Sequence, residues 1–146
     1  MTIKISHFTA CCNLGTNIEE IYENAINGVN SKFDISETLI KEKKVCVAKI
    51  KTQLSQIENP RFNLRCNHLI LQNISKLSDN IAEIKNKYSL SRIAIVVATT
   101  NSGVEEFEKQ QDKCLSELGN PALFLRQELN LTGFYTTVST ACQSHS

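Results

Sequence analysis

The chain has 146 residues, which suits one ordinary domain and leaves no room for two large ones. Hydrophobic residues make up 41% and charged residues 21%, a balance that supports a packed core and argues against wholesale disorder. Sixteen Lys and Arg against fifteen Asp and Glu leave a net charge of +1, so the overall charge makes no case for nucleic acid or an anionic membrane as partner.

Ile3 to Thr9 reads as a first strand, with Ile3 and Ile5 on one face. Cys11 to Gly15 turns the chain. Thr16-Asn17-Ile18-Glu19 has the form of a capping box, a hydroxyl for the free amides at a helix start with a Glu three residues on. Ile18, Ile21, Tyr22, Ala25 and Ile26 follow at helical spacing, and Gly28 stops the helix as a residue able to take positive φ. The stretch from Val29 to Pro60 carries the weakest pattern. Val45 to Ile50 reads as a short strand, Lys41 to Lys44 as a solvated loop, and Asn59-Pro60 as a turn.

Arg61 to Lys87 carries the strongest helical period: Ile70, Ile74, Leu77, Ile81 and Ile84 fall at steps of four, three, four and three. Ile93 to Ala98 is apolar on both faces, as in a buried parallel strand. The polar turn Thr99-Thr100-Asn101-Ser102-Gly103 follows. Val104, Phe107, Cys114, Leu115 and Leu118 suggest another helix, ended by Gly119. Asn120-Pro121 starts a short helix through Leu129, with proline where no amide is needed. Gly133 to Ser139 reads as the last strand. Alternation of this kind indicates an α/β layered fold with a mainly parallel sheet. No run approaches the roughly 20 apolar residues of a membrane span. The N-terminus also lacks the apolar stretch of a signal peptide. The expected location is the cytoplasm.

Six cysteines are a high count: Cys11, Cys12, Cys46, Cys66, Cys114 and Cys142. None is spaced CxxC and no Cys/His pair has zinc-finger spacing, which argues against structural zinc. Without an export signal the thiols are expected to be reduced. Cys46, Cys66 and Cys114 read as apolar filler, and the adjacent Cys11 and Cys12 as small residues at a turn. Glu105, Glu106 and Glu108 with Lys109 read as a solvated helix face. Cys142 differs in its setting, because a strand leads into small residues and then the thiol. At a sharp strand-to-helix turn a cysteine is presented at the carboxyl edge of the sheet. The unpaired amides of the helix start there stabilise a thiolate and a nearby oxyanion.

Three segments, in order, resemble the β-ketoacyl-acyl-carrier-protein synthases of the thiolase-like superfamily. Ile3 to Phe33, with Asn13-Leu14-Gly15, Ile18-Glu19-Glu20-Ile21-Tyr22 and Gly28, is similar to the family's opening strand, turn and first helix. Arg92 to Glu106 is similar to its buried strand and the Gly-Thr-rich turn after it. Ser139-Thr140-Ala141-Cys142 is similar to its nucleophile motif, the most specific of the three. The stretch from Lys32 to Pro60 is unmatched. His7-Phe8-Thr9 departs from the family's glycine-containing start, and Ala98 stands where a glycine often precedes the turn.

The resemblance implies residues 1–146 as a β-ketoacyl synthase N-terminal half-domain, truncated just after the nucleophile motif. Its fold would be the N-terminal half of a thiolase-like layered fold, a mainly parallel sheet with helices on both faces. It implies Cys142 as the nucleophile that accepts an acyl group from a carrier-protein thioester before decarboxylative condensation with a malonyl thioester. The implied partners are an acyl carrier protein and a homodimer mate or other partner chain docked through Phe134 to Ser139. No cofactor and no metal are implied. The family's two catalytic histidines come from a later half, and none of His7, His68 or His145 matches them. The alternative is a non-catalytic relative or partner subunit. Standing by itself, such a half is expected to expose a large apolar face.

Overall fold

A computed structural model describes residues 3–28, 33–99 and 117–138. The chain divides into two compact units, Met1–Gln53 and Leu54–Ser146.

In the first unit, residues 3–11 run without regular secondary structure. The expected strand from Ile3 to Thr9 does not form among the described residues. A strand exists only through a partner, and no described residue pairs with this segment, in which Ile3 and Ile5 lie exposed. A tight turn follows, closed by Cys12 N–H donating to Gly15 O at 2.9 Å and Gly15 N–H to Cys12 O at 3.3 Å. Helix α1 spans Ile18–Ile26. Its cap is Asn17, not the expected Thr16: the Asn17 side chain accepts from Glu20 N–H at 2.8 Å. Glu20 in turn reaches back to accept from Thr16 N–H at 3.0 Å. This is a variant of the capping box, in which the Glu accepts from the amide before the cap rather than from that of the cap itself. The folded-back Glu20 also explains Gly15, where an added Cβ would lie 2.8 Å from the Glu20 carboxyl. Gly28 takes φ +60° just past the helix, as its position at the C-terminus predicts.

Strands β1 (Asp34–Ile40) and β2 (Lys43–Val47) form an antiparallel hairpin with Ile35 opposite Cys46 and Ser36 opposite Val45. The pairing shifts between Ser36 and Ile40. The sequence pattern indicates β2 over Val45–Ile50 and misses β1, and Lys43 and Lys44 belong to a strand rather than a loop. The hairpin turn is Lys41-Glu42, with Glu42 at φ +61°, a conformation costly for a residue with a side chain. Cys46 is exposed and is not core filler. It occupies the outward face of a two-stranded ribbon, which has only one face to bury.

The second unit holds the core. A short 3₁₀ turn, Pro60–Phe62, is capped by Asn59. The expected single helix from Arg61 to Lys87 is two, α2 (Arg65–Ser75) and α3 (Ser78–Lys87). Two side chains at the joint bond back to the ladder, Asn73 Nδ2 to Leu69 O and Ser75 Oγ to Gln72 O, both at 2.8 Å. Such bonds compete with the backbone and bend helices. The joint itself closes with Leu77 N–H donating to Ile74 O at 2.9 Å, a tighter turn that lets the apolar period run on across the break.

Strand β3 (Ile95–Ala98) and strand β4 (Tyr135–Val138) pair in parallel, Ile95 beside Tyr135 through Ala98 beside Val138. Helix α4 (Asn120–Glu128) has Pro121 in its first turn and buries Asn120, Pro121, Ala122, Phe124 and Leu125. Phe62, Ile95, Ala122, Phe124, Leu125 and Leu131 form one core cluster, with the Phe62 and Phe124 rings tilted at 48° and 5.6 Å between centroids. Strand β3 is not buried on both faces. Ile95 is in the core and Val97 half-buried, whereas Val96 is 66% exposed and Ala98 is exposed. Its second face has no covering element among the described residues. The helix expected from Val104 to Leu118 falls almost wholly outside them.

Candidate functional site

The parallel pair β3–β4 sets the geometry of the site. Parallel strands end at the same edge of a sheet, and Thr99 N–H donates to Val138 O at 3.0 Å, so the two carboxyl ends are tied together. From one end the chain continues into Thr99-Thr100-Asn101-Ser102-Gly103, and from the other into Ser139-Thr140-Ala141-Cys142. Two segments far apart in sequence thus leave from adjacent positions. Residues 100–116 and 139–146, with Cys114, Cys142, His145 and the Glu105, Glu106, Glu108 and Lys109 cluster, lie outside the described residues.

What holds this edge in register is legible in the packing. Gly133, just before β4, lies so close to the chain entering β3 that an added Cβ would stand 2.1 Å from Ile93 O. Its N–H donates to Leu90 O at 3.1 Å. Only glycine permits that approach. On the core side, α4 lies on the pair, with the Arg126 guanidinium 5.0 Å from the centroid of the Tyr135 ring.

A buried polar pair ties the helices together. Asn67 on α2 and Asn120 at the start of α4 are both essentially inaccessible. Asn67 Nδ2 donates to Asn120 Oδ1 at 2.9 Å and to Phe62 O at 3.0 Å. Asn120 Nδ2 donates to Arg61 O at 2.9 Å. Buried amides satisfied in this way specify one arrangement of the elements that carry them. Sequence reasoning missed this pair; the available signal was an asparagine on the apolar flank of a helix, ahead of Ile70 and Ile74.

Two of the three histidines are described. His7 is exposed in the segment without regular structure. His68 is half-buried on α2, where Nε2 contacts Asn63 Oδ1 at 2.7 Å and Nδ1 contacts Ser55 O. It fastens the incoming loop to the helix. Cys11, Cys12 and Cys66 are half-buried and form no disulfide among the described residues. Among the described residues no group of three or more His, Cys, Asp or Glu comes together to hold a metal. Nor is any described helix long and apolar enough to cross a membrane.

No protein-family model and no curated protein matches this sequence. Among solved structures, the chain is similar to one from Xenorhabdus doucetiae, described as the ketosynthase ApeO in complex with its chain length factor ApeC. The TM-score is 0.79 at 22% identity, over 97% of this chain and 42% of that one. The present chain therefore spans less than half the length of its structural neighbour. The likeness, with the mixed helices and strands and the parallel β3–β4 pair, establishes the fold. This chain has an α/β fold like that of part of the ketosynthase structure.

Proposed function

We propose that this chain is the nucleophile-bearing portion of a β-ketoacyl-acyl-carrier-protein synthase-type acyltransferase, with Cys142 as the acyl-accepting residue. The observation that carries the reading is the junction of motif and fold. A Ser-Thr-Ala-Cys sequence follows β4 directly in a chain with a ketosynthase-like fold, and β4 pairs in parallel with β3. Open α/β sheets collect their chemistry at the carboxyl ends of parallel strands.

In this reading the Cys142 thiolate attacks the carbonyl carbon of a carrier-protein thioester. The tetrahedral oxyanion is held by backbone amides, that of Cys142 among them, and the carrier thiol leaves with a proton. A malonyl thioester then loses carbon dioxide. The resulting carbanion attacks the acyl carbon and expels the Cys142 thiolate. No part in the decarboxylation is assigned to His7, His68 or His145, so condensation requires residues beyond these three. Phe134 to Ser139 serves as the contact with a second chain. In support, Phe134 is 68% exposed, and β4 pairs only with β3 among the described residues. The cytoplasm is the proposed location.

The test is acyl transfer followed by peptide mass spectrometry. A short-chain acyl thioester should load Cys142 ahead of the other five thiols, and Cys142→Ser should abolish loading there. Reaction of Cys142 no faster than the remaining thiols would overturn the reading. A second reading, a non-catalytic partner subunit, is favoured by one observation: the neighbouring structure pairs a ketosynthase with a chain length factor. It predicts no acyl-Cys142 and a stable complex with a second ketosynthase-like chain.

A further inference from the structure

Helix α4 and the loop before the 3₁₀ turn border an open cavity of about 430 Å³. All of its lining residues lie in the second unit, and none belongs to β3 or β4. The volume falls within the range of about 300–1,000 Å³ typical of small-ligand sites.

The cavity follows from how three pieces meet. Residues 56–58 run without regular structure, and Asn59 starts the 3₁₀ turn by accepting from Arg61 N–H at 3.1 Å. Leu71 comes from α2, and Phe124, Gln127 and Glu128 come from α4. The three α4 residues stand at i, i+3 and i+4, so they share one face of the helix. That face passes from a ring in the core to a carboxylate in solvent. The floor is apolar. Phe62 and Phe124 are nearly inaccessible, while Ile57 and Leu71 pack against the same cluster and remain half-buried.

The rim carries charge of one sign. Glu58 and Glu128 are exposed, and the other lining side chains are apolar or neutral amides. Neither carboxylate has an ion-pair or hydrogen-bond partner among the described residues. Lys85 lines a neighbouring groove together with Glu128 and pairs with neither glutamate. A cleft with low-dielectric walls and charge of one sign focuses its field and draws in the opposite charge. Half-buried apolar side chains beneath that rim favour a ligand that also brings apolar surface.

We infer that this cavity binds a small organic cation, an alkylammonium with a short apolar stem. The stem covers Ile57 and Leu71, and the ammonium group meets the Glu58 and Glu128 carboxylates at the rim. The site is independent of the acyl-transfer reading, because it uses neither Cys142 nor the β3–β4 edge.

The experiment is an amide NMR titration of the full chain with n-hexylammonium chloride, beside hexanol and sodium hexanoate as neutral and anionic analogues of the same stem. Hexylammonium should shift the amides around Ile57, Leu71 and Glu128, with affinity falling as salt rises. Hexanol should bind there several-fold more weakly and hexanoate more weakly still. Glu58→Gln/Glu128→Gln should weaken hexylammonium binding roughly fivefold, the modest effect of two exposed charge contacts. The same variant should leave hexanol binding and the circular dichroism spectrum unchanged. No binding of hexylammonium, equal affinity for hexanol, tighter binding of hexanoate, or undiminished hexylammonium affinity in the variant overturns the inference. So do hexylammonium shifts spread over the acidic surface rather than confined to the cavity.

Discussion

The two units of this chain differ in where they put their apolar side chains. The unit from Leu54 onward buries Phe62, Leu64, Ile95, Ala122, Phe124, Leu125 and Leu131. Among the described residues of the unit up to Gln53, only Gly15 and Ser36 are buried. Yet that first unit is not short of apolar residues. Ile3, Ile5, Phe8, Tyr22, Ile26, Ile35 and Leu39 all face outward. The second unit has its hydrophobic stabilisation inside itself, whereas the first holds side chains suited to a core that its own residues do not build. Burial, and not composition, is what stabilises a fold.

The contrast can be broken most severely from within the second unit. Phe124→Ala should cost about 3–5 kcal/mol, because it removes a buried ring that packs against Phe62. Thermal unfolding by circular dichroism would show it, and a loss under 1 kcal/mol would mean that the cluster is not the core. Gly133→Ala should cost on the order of 3 kcal/mol, as overpacking against a carbonyl that cannot move without parting β4 from β3. Asn67→Ala should cost about 1–3 kcal/mol by removing the buried amide that donates to Phe62 O and Asn120 Oδ1. Chemical denaturation of this variant beside Asn120→Ala and the double variant tests the pairing, since coupled partners give a double loss smaller than the sum of the two single losses.

The first unit should respond weakly to the same kinds of change. Asn17→Ala should lower the stability of α1 by about 1 kcal/mol through loss of its cap, seen as faster amide exchange across Ile18–Ile26 alone. Glu42→Gly should stabilise the hairpin by some tenths of a kcal/mol, since glycine relieves the positive φ. A destabilised hairpin in that variant would contradict the turn geometry. Brief trypsin treatment should cut first at Lys41, Lys43 or Lys44, before any site between Phe62 and Leu131. Simultaneous cutting in both units would erase the distinction between them.

Residues show how the two levels of reading divide. Helix α1 is written in local chemistry, an Asx cap, a folded-back Glu20 and Gly28 at positive φ, so its existence and ends were legible to within one residue. Helix α4 was legible for the same reason, from Asn120-Pro121 and the apolar run behind them. The break between α2 and α3 was not, because the apolar period passes through it unchanged, and only the bonds of Asn73 and Ser75 to the helix carbonyls reveal it. Strand β1 was not, because Asp34 to Ile40 has no clean alternation and depends on β2 for its pairing. The exposure of Cys46 and Val96 was not legible either. An apolar residue type says that burial would be favourable, not that a partner exists to provide it.

The sequence by itself determined the α/β alternation, the position of the strands that became β3 and β4, and the motif that singles out Cys142. Each depends on neighbours a few residues apart. Only the tertiary structure decided that β3 and β4 lie side by side in parallel, so that two distant polar segments leave from one edge. It alone decided that Asn67 and Asn120 satisfy each other in the core and that Gly133 cannot carry a side chain. Those facts join residues tens of positions apart, and which distant residues meet is settled by packing and pairing across the whole chain.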